Sequence, residues 1–515
     1  MRIRNVHELE KLERRIKTQM RRYDVDDILL GLRNVPNGVQ DKLQPFMIAG
    51  TSLFAVRYAL RPAQMKSSMR PLSWNQLGPL IDLVNNYLLA EPVSFEPPVE
   101  NEYHGSTIIP IFLRIAANQF SYIDDYFGQN ARSLKLLRDM PKKVNSISKT
   151  KKFDIEATFS AINSVSLVDF IDVGTVIFAA SISGGAFIGA YFQKAKEQGV
   201  NLPNDTVIKS VVDQFAGDLS QIKEMYEQYK QPDRNYAAYD FNTLRVFPVV
   251  RPWKRKTTPS FNEERFIVPL PQLVLSKMSE GIYSQMFYTY RDDFAKYFGI
   301  LFENYVGEIL ENSFSAENIL SEDEIRQTYK SEQGKAPDWV VLENDVAILI
   351  ECKATGLSQK ALATANMKSI DYSVDQVIKG LVQLHELKDS CQKKSSGLEK
   401  LHNHSKLKLL LVTYEPFYLI NSSPFKETIN QRLEDKLRLK GIAISDYEVL
   451  SVGQLEKLQP HLATSVKLGN ILDDLNSQTF DKVIENCHSQ TGKTYKDCFL
   501  YKIDEEIYKR LNVPI

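Results

Sequence analysis

Cysteine is scarce in this chain, and the few that occur form no pattern. Four are present among 515 residues, Cys352, Cys391, Cys487 and Cys498, with no CxxC pair. Their spacing supports neither a disulfide framework nor a zinc knuckle, and it points to a reducing compartment. Net charge is also missing, because 64 Lys plus Arg balance 64 Asp plus Glu. Attraction to a polyanion must then come from local patches or bound metal, not from the whole-molecule field. Residues 1–5 lead into charged sequence with no apolar signal-peptide core, so a cytoplasmic location is expected. Long apolar runs are nearly lacking too. The exception is 173–192, which carries no charged residue and is long enough to span a bilayer. Gly, Ser, Thr and Ala dilute it, and Asp169 and Asp172 precede it. The expectation is a buried helix or helix pair broken near Gly184-Gly185, with membrane contact as the alternative.

A chain of this length exceeds one ordinary hydrophobic core. The pattern predicts an α+β multidomain protein. Residues 1–290 read as mainly helical, a sensor, specificity or assembly region, with helical periodicity at 9–22 (an exposed helix), 73–91, 111–140 and 204–230. Within it, 244–250 and 266–268 suggest strands. Between them Arg251, Lys254, Arg255 and Lys256 surround Trp253, either a hairpin tip that meets phosphate or a solvated loop. Lys142, Lys143, Lys149, Lys151 and Lys152 form a second basic run with the same two readings. Residues 291–460 become mixed α/β. Helices are expected at 292–312, 371–388 and 425–438, and strands at 324–330, 338–343, 346–354, 407–412 and 446–450, with a polar linker at 390–404. Residues 461–515 read as a helical appendage with one short strand near 498–501.

The chemistry concentrates in the middle segment. Pro337-Asp338 opens one apolar strand, Glu343-Asn344-Asp345 is a polar turn, and Glu351-Cys352-Lys353 ends the returning strand. Such a hairpin brings Asp338 beside Glu351. Period-two alternation sends Glu351 and Lys353 to one face and Cys352 to the other, where it packs. Two carboxylates suit Mg²⁺ or Mn²⁺, and an adjacent lysine can orient water or offset charge on a reacting phosphate. A third acid is offered by the preceding helix, where Glu303 is favoured over Glu308, some 140° further round on an ideal helix. Gln376 and Gln383 are seven apart on the following helix, and Gln376 lies nearer its start, where N–H groups favour anions.

The order Phe302-Glu303, Pro337-Asp338, Glu351-Cys352-Lys353 and Gln376, over roughly 295–450, resembles the PD-(D/E)xK nuclease superfamily. The resemblance implies a restriction endonuclease-like domain, a mixed central sheet flanked by helices, within 291–460. It implies Asp338, Glu351 and Glu303 as metal ligands, Lys353 as the catalytic lysine, and Mg²⁺-dependent hydrolysis of DNA, less often RNA. Many members serve in phage defence or repair, so a defence-system partner, a homodimer and a sensor role for 1–290 are expectations by fold analogy alone. The competing reading is a silent nucleic-acid-binding or sensor protein built on the same domain. Thr491-Gly492-Lys493-Thr494 imitates a Walker A end, but position 487 is Cys where a glycine is required. His385, Cys391, His402 and His404 sit in polar, lysine-rich sequence that reads as an exposed loop rather than a metal site.

Overall fold

Two mixed sheets organise this α+β protein. The structure is a computed structural model and describes residues 6–34, 71–90, 128–147, 153–229, 241–251, 260–329, 336–356, 367–417, 420–421 and 423–513. The first sheet is small. Its strands β1 (Ala186–Ile188), β2 (Ala216–Gly217), β3 (Val249–Val250) and β4 (Arg265–Ile267) lie in the order β1-β4-β3-β2. Three helices, Val6–Met20, Val25–Asn34 and Trp74–Ala90, share a core cluster with it through Ile16, Ile28, Leu80, Val250 and Ile267.

The second sheet runs β5 (Ile319–Ser321), β6 (Trp339–Glu343), β7 (Val346–Lys353), β8 (Lys406–Thr413) and β9 (Tyr447–Ser451), in that spatial order. β5, β6 and β7 are antiparallel neighbours, whereas β7, β8 and β9 are parallel. Parallel neighbours need a crossover. The helices Met367–Gln392 and Ser423–Arg438 supply both, and both cover the same face. Alternation along the strands divides the side chains cleanly. Val340, Leu349 and Leu411 pack on Val377, Ile378 and Leu381, while Val341, Ile350 and Val412 pack toward the long helix Glu280–Glu311. A sheet buried on both faces explains the near-continuous apolar run of β7.

Several expectations needed revision. The strand expected at 324–330 is not found over 324–329, and residue 330 lies outside the described residues; β5 ends at Ser321 and the helix Glu322–Thr328 follows. Ser321 and Glu324 form a reciprocal capping box there, an N-terminal helix signal that outweighs local apolar alternation. Residues 244–250 hold only a 3₁₀ turn (Thr243–Arg245) and β3. The strand expected near 498–501 is replaced by a 3₁₀ turn (Tyr495–Asp497) and the helix Tyr501–Leu511. The linker at 390–404 is structured, since one helix runs to Gln392 and a short one spans Glu399–His402. The first helix is not wholly exposed, for Ile16 and Met20 are buried. The uncharged segment is a helix, Leu167–Gly184, followed by β1 and the helix Ala190–Glu197. Val173, Val176 and Ile177 lie in the largest core cluster. Among the described residues no single helix is long and apolar enough to cross a membrane, although the bent pair Ile155–Asn163 and Leu167–Ile182 passes that test jointly.

Packing is continuous across position 291. The largest core cluster draws on residues from Ala131 to Leu511. Arg291 itself is the one non-helical residue inside the long helix, with φ 49° and ψ −126°. A buried ion pair knits three segments together. Glu456, fully buried, accepts from Arg132 Nε at 2.6 Å and Nη2 at 2.5 Å, and from the Tyr305 hydroxyl at 2.6 Å. Truncating one partner of such a pair strands the other charge, whereas replacing both with apolar residues does not. Glu456→Ala should therefore lose about 3–5 kcal/mol in urea unfolding followed by circular dichroism. The double change Arg132→Met with Glu456→Leu should lose clearly less, and equal losses would show that burial of the charge is not the dominant cost.

Candidate active site

The site forms where β6 begins and β7 ends. The β6–β7 register pairs Trp339 with Ile350, and one further step sets Asp338 opposite Glu351. The tight turn at the other end uses Asn344 at φ 46°, a left-handed position that Asn tolerates. By alternation Asp338, Glu351 and Lys353 share the face of Val340 and Leu349, and Cys352 points to the opposite core. Burial and the neighbouring acids push the Cys352 thiol well up, so it is no thiolate nucleophile. Asp338 Oδ2 accepts from the Cys352 backbone N–H at 2.6 Å, which closes the open end of the hairpin. Lys353 Nζ donates to Glu351 Oε1 at 2.5 Å and to Gln383 Oε1 at 2.8 Å.

Two more acids arrive from outside the hairpin. Glu303 comes from the long helix, held by the Trp339 indole N–H donating to its carbonyl oxygen at 3.0 Å. The indole lies against Gly307, where a Cβ would meet Trp339 Cζ2 at 2.1 Å. Glycine there lets helix and strand approach closely enough for Glu303 to overhang the sheet. Glu322 opens the helix after β5, and its backbone N–H donates to the Asp338 carbonyl at 2.9 Å. Glu303, Glu322 and Asp338 each offer a carboxylate oxygen within 4.8 Å of the others.

The ligand set expected from sequence was Asp338, Glu351 and Glu303. The tight group instead contains Glu322, and Glu351 is bonded to Lys353. Glu322 was hidden because the segment just after it, 324–330, reads as a strand; the Ser321-x-x-Glu324 box was the signal that places a helix start there. Glu351 is 2% exposed, and its Oε2 is buried with no hydrogen-bond partner among the described residues. Gln376 does not reach the Lys353 ammonium. It lines a separate cavity of about 220 Å³ beside Lys353, and Gln383 makes the lysine contact instead. Glu308 turns away and pairs with Lys135 and Lys143.

The other sequence features lie elsewhere. Arg251 pairs with Asp213 and Glu264, and Lys143 with Glu308 and Glu311. Trp253, Lys254, Arg255 and Lys256, and Lys149, Lys151 and Lys152, fall outside the described residues. Gly492, at φ 67°, ends the helix Phe480–Thr491 and belongs to no phosphate loop. His402, His404 and Cys391 line a cavity of about 660 Å³ at the opposite end of the sheet, where β8 starts. Both histidines are half-buried rather than on an exposed loop.

Crowding sets the protonation of the cluster. Burial, then Asp338, Glu322 and Glu351, push Glu303 up to about 8. Burial raises Asp338 to about 6 despite the Cys352 N–H and Lys353. Burial and Asp338 raise Glu351 to about 7 against the pull of Lys353. These acids titrate as one coupled group. Four hard oxygen donors that repel one another, one with an orphaned buried oxygen, make a donor set suited to a divalent cation. Comparison of the chain with protein-family models, with curated proteins and with solved structures finds no match.

Acids raised in the folded state favour folding at low pH, and this contribution is lost as pH rises through about 6 to 8. Glu303→Gln removes one of the repelling charges. In chelator it should stabilise the protein by on the order of 1–3 kcal/mol at pH 8.5 and by little at pH 4.5. Millimolar divalent cation should raise the parent's melting temperature more at pH 8.5 than at pH 5.5. Calorimetry that shows parent and variant with superimposable pH profiles would contradict the clustering.

Proposed function

We propose that this chain is a divalent-metal-dependent nuclease that hydrolyses phosphodiester bonds, with DNA the expected substrate. The second sheet and its helices are read as a restriction endonuclease-like domain of the PD-(D/E)xK type. One observation carries this reading. Three carboxylates from three different elements converge within 4.8 Å, beside a glutamate–lysine pair on the next strand. A structural ion pair on an ordinary strand needs no such convergence, which works against folding through repulsion.

Glu303, Glu322 and Asp338, with the unpartnered oxygen of Glu351, would hold Mg²⁺ or Mn²⁺. When bound, such an ion polarises a phosphate oxygen and acidifies a water molecule. The rest falls to the chain's own groups. Glu351 Oε1 and Gln383 Oε1 fix the Lys353 ammonium from two sides, which leaves a third N–H for a phosphate oxygen or a water. Held in that position, the ammonium offsets the negative charge that builds on the phosphorus oxygens during attack. Asp338 is oriented by the Cys352 N–H, so its free oxygen is presented at a fixed point. The helical region of 1–290 is assigned a sensor or specificity role, and a defence-system partner and a homodimer belong to the same proposal.

Purified protein incubated with single- and double-stranded DNA and RNA, in Mg²⁺ or Mn²⁺, tests the reading. Lys353→Ala should lower cleavage at least about 10²-fold; it also strands the buried Glu351 carboxylate, so its melting temperature should fall, and cleavage is compared below the variant's own unfolding transition. Asp338→Asn should abolish cation-dependent stabilisation as well as cleavage. Cleavage that is equal in parent and Lys353→Ala would assign the activity to another site or a contaminant. No cleavage of any polymer, with or without metal, would leave the silent-binder reading.

A further inference from the structure

Lys353 also lines the cavity of about 220 Å³ that holds Gln376, and none of Glu303, Glu322, Asp338 and Glu351 is among its described lining residues. Its walls are aromatic, with Tyr283, Phe287 and Tyr288 from the long helix and Tyr372 from the helix Met367–Gln392. Tyr372 is 64% exposed and Tyr288 is 38% exposed. Large aromatic rings left in water at the rim of a concave site are unusual, since most such rings are buried or half-buried. Tyr283 and Phe287 also pack against the main core, with Tyr283 and Phe298 4.6 Å apart and Tyr283 and Phe287 stacked at 12°, so Tyr372 and Tyr288 are the rings the cavity presents to water.

Backbone strain shapes the same wall. Arg291, at φ 49°, breaks the long helix between Tyr288 and Ala295, so that both sides of the break line the cavity. Non-glycine residues in such conformations are strained and persist where the surroundings hold them. The turned guanidinium lies over the Tyr288 ring, 5.3 Å from its centroid. The floor is polar. Thr355, Ser373, Gln376 and Glu415 reach it, and Gly356 lacks the Cβ that would stand 2.2 Å from Glu415 Oε2. Burial and Glu280 push the Glu415 carboxyl well above the usual carboxylate range.

The chemistry narrows the occupant. Among the described residues Lys353 is the single cation lining the cavity, and Glu415 is an acid, so a phosphate is poorly served. The volume lies below the roughly 300 Å³ at which drug-sized sites begin. It suits one flat ring system that stacks on aromatics and offers donors and acceptors at its edge. We propose that this cavity receives an unpaired nucleobase next to the scissile phosphate, so that the substrate class is single-stranded or locally unpaired nucleic acid. The proposal rests on the nuclease reading, because Lys353 belongs to both places. A base in the cavity sets its own backbone phosphate beside the Lys353 ammonium, whereas a fully stacked duplex keeps its bases out of reach.

Binding can be read without cleavage. Fluorescence anisotropy in chelator, with oligo-dT, oligo-U and a matched DNA duplex, measures affinity for parent, Tyr372→Ala, Tyr372→Trp and Phe287→Ala. Stacking of one base is lost in the alanine variants, so single-strand affinity should fall about tenfold or more, duplex affinity should not change, and Tyr372→Trp should retain tight binding. An oligonucleotide carrying one fluorescent base analogue should be quenched by the parent and by Tyr372→Trp, but not by Tyr372→Ala. The effect in either DNA or RNA supports the proposal, and the tighter polymer identifies the source. Equal single-strand binding by parent and both alanine variants, or equal loss on single strand and duplex, would overturn it. Failure of the nuclease reading shows separately, as absence of Lys353-dependent cleavage, and does not alter the anisotropy result.

Discussion

Four carboxylates held partly out of water repel one another, and the fold has to hold them together against that repulsion. Glu303, Glu322, Asp338 and Glu351 come from a helix, a helix start and two strands, so none is placed by its sequence neighbours alone. What fixes them is the β6–β7 hairpin inside a sheet buried on both faces. A one-residue slip of that hairpin would send Asp338, Glu351 and Lys353 to the core face and Cys352 into the site. The slip is opposed by every alternating pair from Trp339–Ile350 to Glu343–Val346, each with one member in a hydrophobic cluster. The repulsion is local, whereas the apolar contacts that resist it extend over both faces.

The surroundings of the hairpin act on the same register from both ends. At the turn end, the Glu343 carboxylate accepts from the backbone N–H groups of Leu468 and Gly469, both at 2.8 Å, and so docks the C-terminal helices onto β6. At the open end, Trp339 ties β6 to the long helix, and Asp338 ties β6 to β7. The long helix carries Glu303 into the acid group and, before its break at Arg291, carries Tyr283 and Phe287 into the neighbouring cavity. That helix also packs against the segments between 131 and 180 in the largest core cluster. The region before 291 is thus in direct contact with the element that bears two of the site's walls.

The hairpin and its pair of carboxylates were legible in the sequence, because period-two alternation and a polar turn are local signals that tertiary packing here reinforces. Glu303 over Glu308 was legible for a similar reason: helical periodicity separates the two directions, and Lys135 and Lys143 claim the second. Glu322 was not, since a short strand and a seven-residue helix share one stretch of chain and only the capping box distinguishes them. Gln376 and Gln383 illustrate a different limit. Seven residues apart, they occupy nearly the same angular position, and the choice depends on how far along the helix the end of β7 falls, a translation that no periodicity encodes. Gln383 meets the lysine because the helix begins as early as Met367 and crosses the sheet with Gly380 against Leu411. The 3₁₀ turns at 243–245 and 495–497 escaped for lack of any repeat long enough to read.

Zero net charge becomes intelligible in this arrangement. A strongly basic surface would draw any polyanion to any face. Here described basic side chains at the site are occupied by acids, as with Lys353 on Glu351 and Arg326 on Glu322. On the proposed nuclease reading, recognition has to use contacts that do not depend on the overall field. An acid cluster that a divalent cation would neutralise, and an aromatic cavity lined in part by the same lysine, would meet that requirement from two directions. The first would make cleavage conditional on metal. The second makes it conditional on a base that has left its stack. Lys353 is held by Glu351 from the acid cluster and by Gln383 from the helix that also carries Tyr372, so on the proposed reading a base can occupy the cavity without metal, whereas cleavage needs both conditions.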